Sequence, residues 1–164
     1  MAIKGLIPTA IEYGQYHWPI LTGCSQPPSV CATWSTCWAR QLHKRFGKKW
    51  ANLYNPDFSP KFNEGLLSEP LFLHIPSRIL VGFTGDMFGP GLNPAQVKKV
   101  LDIVGICDGL SYAPHTFIFL TKSPENLAQF NPWPSNALVG MSITGAESEM
   151  RQAEMWLHLG KVEG

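Results

Sequence analysis

The chain has 164 residues, enough for one domain with a real core and too few for two comfortable ones. Apolar residues make up 45% and charged residues only 15%, against about 25% charged in an average soluble protein; this excludes a disordered chain and leaves much of the surface for a ligand or another protein. The formal net charge of +1 supplies no general electrostatic reason to bind nucleic acid or an anionic membrane, so any such binding must be local.

In chain order, the segment between Ile11 and Ile20 contains a strand, and the loop from Leu21 to Ser35 that follows carries two cysteines. Thr36 to Phe46 has helical character, with Trp38, Leu42 and Phe46 on one face. Leu53 to Pro76 adds a weaker unit, a strand near Lys61 to Asn63 and a short helix near Leu66 to Leu71. Ile79 to Phe83 is a short apolar strand before the glycine-rich loop GDMFGPGLNP. Asn93 then makes an N-cap with Pro94 at the first helical position, and Val97, Val100, Leu101 and Val104 fall at helical spacing on one face. Thr116 to Leu120 reads as a buried strand, and Ser123 with Pro124 starts a short helix carrying Leu127 and Phe130. Leu138 to Ile143 is a further strand, after which Thr144 and Glu147 have capping-box spacing and Ala146, Met150, Ala153 and Leu157 share a helical face.

Apolar strands alternating with helices predict an α/β protein, a mostly parallel sheet covered by helices in one domain spanning 1–164. Five such units make only part of a barrel. No run approaches the roughly 18 apolar residues of a membrane span, and MAIKGLIPTAIEYG lacks the continuous apolar centre of a secretory signal. The expected address is therefore the cytoplasm, where Cys24, Cys31, Cys37 and Cys107 stay reduced.

Cys24, Cys31 and Cys37 lie within fourteen residues of one another, separated by six and five residues. Paired zinc ligands want two to four residues between cysteines and a fourth ligand besides, for which His17, His43 and Cys107 are equal candidates on spacing. Three thiolates on one loop suit a 4Fe-4S cluster that leaves one iron open. The bland alternative, three buried fillers, is at odds with a loop rich in Pro, Ser and Thr.

The segments HWPILTGC (17–24), Cys31, CWARQL (37–42) and KRFG (44–47) resemble the opening of the phage-type three-Cys-motif proteins, a family of unknown function that looks related to the radical S-adenosylmethionine (SAM) enzymes. FSPKFNEGLLSEPL (58–71), PSRILVGFTGDMF (76–88), HTFIFLTKSPENL (115–127) and ALVGMSITGAE (137–147) match later blocks of that family in order. The resemblance implies a partial or full (β/α) barrel, with Cys24, Cys31 and Cys37 binding a 4Fe-4S cluster. In radical SAM enzymes the open iron binds the amino and carboxylate groups of SAM, and an electron from the cluster cleaves it to give a 5'-deoxyadenosyl radical. On this pattern Trp38 is the aromatic after the last cysteine and lines the cluster or the adenine. The chain departs from the family in three places: five residues rather than two between Cys31 and Cys37, Ser123 where the family tends to have Arg, and an end at Gly164 where further barrel strands are expected. It therefore reads as a short form, a fragment or a half completed by a partner.

Other candidates stand at strand ends. Asp86 in GFTGDMFGPG either contacts a ligand or caps its own turn. Lys122 and Ser142, at or near the ends of the next two strands, contact a carboxylate, phosphate or ribose, or are a solvated charge and a core hydroxyl; Thr84 is a weaker candidate. Arg40, His43, Lys44, Arg45, Lys48 and Lys49 make a basic patch with Trp50 beside it, either a nucleic acid contact or a solvated helix end. His74, His115 and His158 read as structural, and Cys107 as buried. Two functions result: an iron-sulfur protein resembling radical SAM enzymes, or a non-catalytic zinc module that binds a protein or nucleic acid. A free sheet edge after Leu138 to Ile143 would be covered by a second copy or a companion chain.

Overall fold

The computed structural model describes residues 5–111 and 114–143, together with Glu147, Met150 and Arg151. Seven strands are found there: β1 (Ile7–Pro8), β2 (Tyr16–Trp18), β3 (Leu21–Thr22), β4 (Lys61–Phe62), β5 (Arg78–Val81), β6 (Thr116–Thr121) and β7 (Ala137–Met141). Two α-helices accompany them, α1 (Trp38–Phe46) and α2 (Pro94–Asp108). The main sheet has the order β1-β2-β5-β6-β7, and β3 and β4 form a small antiparallel pair beside it.

β2, β5, β6 and β7 run parallel, and β1 is antiparallel to β2. The reason is connection length. Thr9 to Gln15 is a hairpin loop, closed by the Thr9 amide donating to the Gln15 carbonyl at 3.0 Å, and parallel neighbours need a crossover of a dozen or more residues. The strand expected between Ile11 and Ile20 accordingly shrinks to Tyr16–Trp18. Over the described residues the sheet is open rather than an arc of a closed barrel, so the partial-barrel expectation is corrected to a mixed, mostly parallel α/β sheet with β1 and β7 at its two edges.

α2 forms where its sequence signals stand. The Asn93 side chain accepts from the Ala95 amide at 2.9 Å, Pro94 occupies the first turn, and Val97, Val100, Leu101, Val104 and Cys107 are buried. They join Trp18, Ile79, Val81, Phe117 and Phe119 in the core. Each large side chain buried this way contributes about 1.5–3 kcal/mol. Because side chains alternate across a sheet, His17, Leu80, Ile118, Leu120 and Leu138 point to the other side.

Two expected helices are tighter and shorter than the periodicity suggests. Residues Glu64–Leu66 and Glu69–Phe72 form two 3-10 turns, and so do Pro124–Asn126 and Ala128–Phe130, with Leu127 and Phe130 buried. Prolines at 70 and 124 fix a first turn and remove an amide donor, which suits one turn better than three. α1 begins at Trp38 rather than Thr36, and its inward residues are Ala39 and His43, not the face with Trp38; Trp38 is 52% exposed. The helix expected around Ala146, Met150, Ala153 and Leu157, with its cap at Thr144, lies largely outside the described residues, as does His158.

Candidate functional site

The carboxyl ends of β5, β6 and β7 open on one cavity of about 400 Å³. Cys24, Cys31 and Cys37 line it from the loop after β3, Trp38 from the first position of α1, Thr84 and Asp86 from the loop after β5, and Lys122 and Ser142 from just beyond β6 and β7. All eight residues singled out in the sequence thus share one cavity, at the end of the strands where parallel sheets keep their sites.

Two glycines bring the cysteine loop there. Gly23 and Gly85 form a parallel bridge between the loop after β3 and the loop after β5. A Cβ on Gly85 would stand 2.5 Å from the Gly23 carbonyl oxygen, and Gly23 itself has a φ of +77°, where an added Cβ would run into the Ser59 and Phe58 carbonyl oxygens, so a side chain at either position would force the backbone apart. The Cys24 amide donates to the Phe58 carbonyl at 3.0 Å.

Asp86 ties the same loop to the sheet. One carboxylate oxygen accepts from the Phe88 amide at 3.0 Å and the Thr121 hydroxyl at 2.8 Å; the other accepts from the Lys122 amide at 2.8 Å and the Gln26 side-chain amide at 3.0 Å. Asp86 therefore caps its turn, and it also holds Gln26, whose amide donates again to the Ser123 hydroxyl at 2.7 Å. The Lys122 ammonium donates to the Ser142 carbonyl at 3.3 Å. Thr84 accepts from the Tyr54 hydroxyl at 2.9 Å, which links the cavity wall to a ring cluster of Tyr54, Phe58 and His43. Gln26 and Tyr54 carry no sequence signal, because their partners lie 30 to 97 residues away.

Burial pushes the Cys24 thiol up to about 11, with the neighbouring charges of Asp86, Cys31 and Cys37 acting in the same direction. The free thiol is thus protonated at neutral pH, and metal binding would have to displace that proton. Among the described residues no three His, Cys, Asp or Glu side chains are gathered as a metal-holding group. The candidates for a fourth ligand are placed elsewhere. Cys107 is fully buried on the core face of α2, the His43 ring packs against Tyr54 and Phe58 at 5.4 and 5.2 Å, and His17 faces Phe83 in a neighbouring cavity. Arg40 lies beside the loop, its guanidinium 4.7 Å from the Trp34 ring and 5.2 Å from that of Phe58.

Fold and site together define an α/β protein with an open, mostly parallel sheet and a cavity walled by three cysteines at its carboxyl edge. Residues 8–161 match the model of the family described as protein of unknown function (DUF5131), and the chain belongs to that family. No curated protein and no solved structure matches it. No helix among the described residues is long and apolar enough to cross a membrane.

Proposed function

We propose that this chain is an iron-sulfur protein in which Cys24, Cys31 and Cys37 hold a 4Fe-4S cluster with one iron left open, as the likeness to radical SAM enzymes implies. The observation that carries the reading is that three thiols line the wall of one cavity; among the described residues they are not gathered into a metal-holding group, so binding the cluster would have to draw them together. The Asp86 oxygens each already accept two hydrogen bonds, so this carboxylate is occupied in holding the loop. A structural zinc site closes with four ligands, whereas a cluster bound by three thiolates needs none further.

When bound, such a cluster supplies an open coordination position and an electron for reductive cleavage of S-adenosylmethionine. The chain's own residues would do the rest. Trp38 offers a flat wall, Lys122 and Ser142 supply polar groups at the strand ends, and Thr84 presents a hydroxyl held by Tyr54. Leu120, Val81 and Phe83 keep the floor apolar and exclude water from reactive species. The proposal extends to the sheet edge: β7 has no outer neighbour among the described residues and Leu138 is 56% exposed, so a second copy or a companion chain covers it.

The test is anaerobic purification with iron, sulfide and zinc analysis and an absorption spectrum before and after dithionite. About four irons and four sulfides per chain, with a visible band that bleaches on reduction and is lost in Cys31→Ala, is the expected result. One zinc without sulfide would replace this reading with the non-catalytic zinc module, and a protein without metal whose Cys31→Ala variant is unchanged would remove both. Sedimentation velocity addresses the edge: a chain that stays monomeric at every concentration overturns the second copy.

A further inference from the structure

A second cavity, about 420 Å³, lies beside the first and shares Trp38, Phe83 and Thr84 with it. Its remaining wall comes from residues 7–11, from His17 in β2 and from Leu42 in α1. Among the described residues no charged side chain lines it, so a charged group entering would lose its water without compensation, while a flat uncharged ring would not. Such a surface already stands there: the Trp38 ring is 52% exposed and lies 5.4 Å from that of Phe83. The same wall holds one unmet polar group, His17 Nε2, which is shut off from solvent and has no hydrogen-bond partner among the described residues. Burial lowers the His17 pKa to about 4, so the imidazole is neutral at pH 7.

α1 connects this cavity to a cationic surface. Trp38, Leu42 and Arg45 stand at i, i+4 and i+7 on one face; the first two line the cavity and Arg45 follows one turn further on, exposed. Lys44, Lys48 and Lys49 are exposed as well. From Trp38 to Pro56 the chain has no Asp or Glu, and the ion pairs Lys99–Glu64 and Arg151–Glu147 lie elsewhere. Four cations along one short segment, with no ion pair among the described residues, exceed what a single phosphate needs and suit a repeating anion.

We infer that this chain binds single-stranded nucleic acid, with one unpaired base in the second cavity against Trp38 and Phe83 and the flanking phosphates on Lys44, Arg45, Lys48 and Lys49. A base stacked in a duplex cannot enter a cavity of this kind until it is extruded, so an unpaired strand is preferred. The inference does not require the iron-sulfur reading, since no element of it involves the cysteines.

The experiment is fluorescence anisotropy with labelled 15-nucleotide DNA and RNA strands of mixed sequence, on the full chain, with iron and sulfide measured on the same samples. Four phosphate contacts predict binding about 50-fold weaker at 200 than at 50 mM salt. The triple variant Lys44→Ala, Arg45→Ala, Lys48→Ala should bind more weakly and lose less than about threefold over that range. Leu42→Trp, which fills the cavity and keeps the charges, should weaken binding about tenfold with the salt dependence unchanged; Ile11→Trp fills it from the opposite wall should the first variant fail to fold by circular dichroism. No binding at 50 mM salt, a duplex held as tightly as the single strand, or affinity untouched by both cavity variants would each overturn the inference. AMP or UMP binding as tightly as the strand would assign the site to free nucleotides and overturn it too. A protein with its cluster intact and no affinity for the strands leaves the proposed function standing, and strand binding by a chain without iron does the reverse.

Discussion

Asp86 lies buried in the cavity wall with two hydrogen-bond donors on each carboxylate oxygen. Replacing it by Asn puts an amide N–H₂ where two donors already point, and a buried donor without an acceptor costs about 1–3 kcal/mol. Asp86→Asn should therefore lower unfolding stability by about 2–4 kcal/mol in urea titrations; a loss under about 0.5 kcal/mol would mean that the four donors find other partners. His17 gives the residue scale a pH signature. Its pKa is about 4 in the folded chain and about 6.5 when unfolded, so the unfolded chain binds the extra proton between these values. Stability is full above pH 6.5 and falls as the pH drops toward 4, by up to about 3 kcal/mol. Buried His115, whose pKa is also lowered by desolvation, adds to the same trend. Urea midpoints at pH 7, 5.5 and 4.5 should fall less steeply in His17→Phe than in the wild type, and parallel curves would refute this assignment. Cysteines 24, 31 and 37, Asp86 and Lys122 were legible because each stands beside a recognisable strand or helix signal. Gln26 was not, because what makes it matter is an aspartate 60 residues away.

At the scale of elements, legibility followed how local the cause is. α2 could be read to its first residue, since a cap, a proline and an apolar stripe are all properties of one short segment. Asn93→Ala should accordingly cost about 1 kcal/mol while Asn93→Asp is nearly neutral, a difference that thermal unfolding resolves; equal effects would show that the side chain does not cap. β5, β6 and β7 were legible for the same reason, as compact apolar runs. The β3 and β4 strands have two residues each, and they pair across a gap that contains the whole cysteine loop and α1. No periodicity can show in two residues; β4 nevertheless falls on the strand expected near Lys61 to Asn63, while β3 lies where a loop was expected. The antiparallel setting of β1 arises from the length of the loop to β2, not from the side chains of either strand. The inward face of α1 escaped notice because a histidine and an alanine occupy it, while the larger Trp38 and Leu42 line cavities instead.

Across the whole molecule, the two sides of the sheet differ. α2 and most of the core lie on one, and Val81, at the end of β5, belongs both to that core and to the wall of the first cavity. The cysteine loop is held unevenly. Its start is fixed by Cys24 to Phe58, Ser25 to Pro90 and Gln26 to Asp86 and Ser123. Beyond Pro27 the backbone bonds of Val30, Cys31, Trp34 and Thr36 reach only to neighbours three or four residues back, and Arg40 stacked on Trp34 is the longer tie. Cys31 and Cys37 thus sit on a stretch that local openings can release, while Cys24 does not move with it. A cluster held by all three thiolates would join the loose stretch to the fixed one and suppress those openings. Chymotrypsin reports on this, because Trp34 is 37% exposed and lies between the second and third cysteines. Cleavage after Trp34 should be at least about tenfold slower in anaerobically reconstituted protein than in the metal-free chain, which requires only about 1.4 kcal/mol of added local stability, and Cys31→Ala or Cys37→Ala should abolish the protection. Cleavage at equal rates with and without the cluster would mean that the loop is not drawn in by its thiols, and that the three cysteines do not act on one ligand.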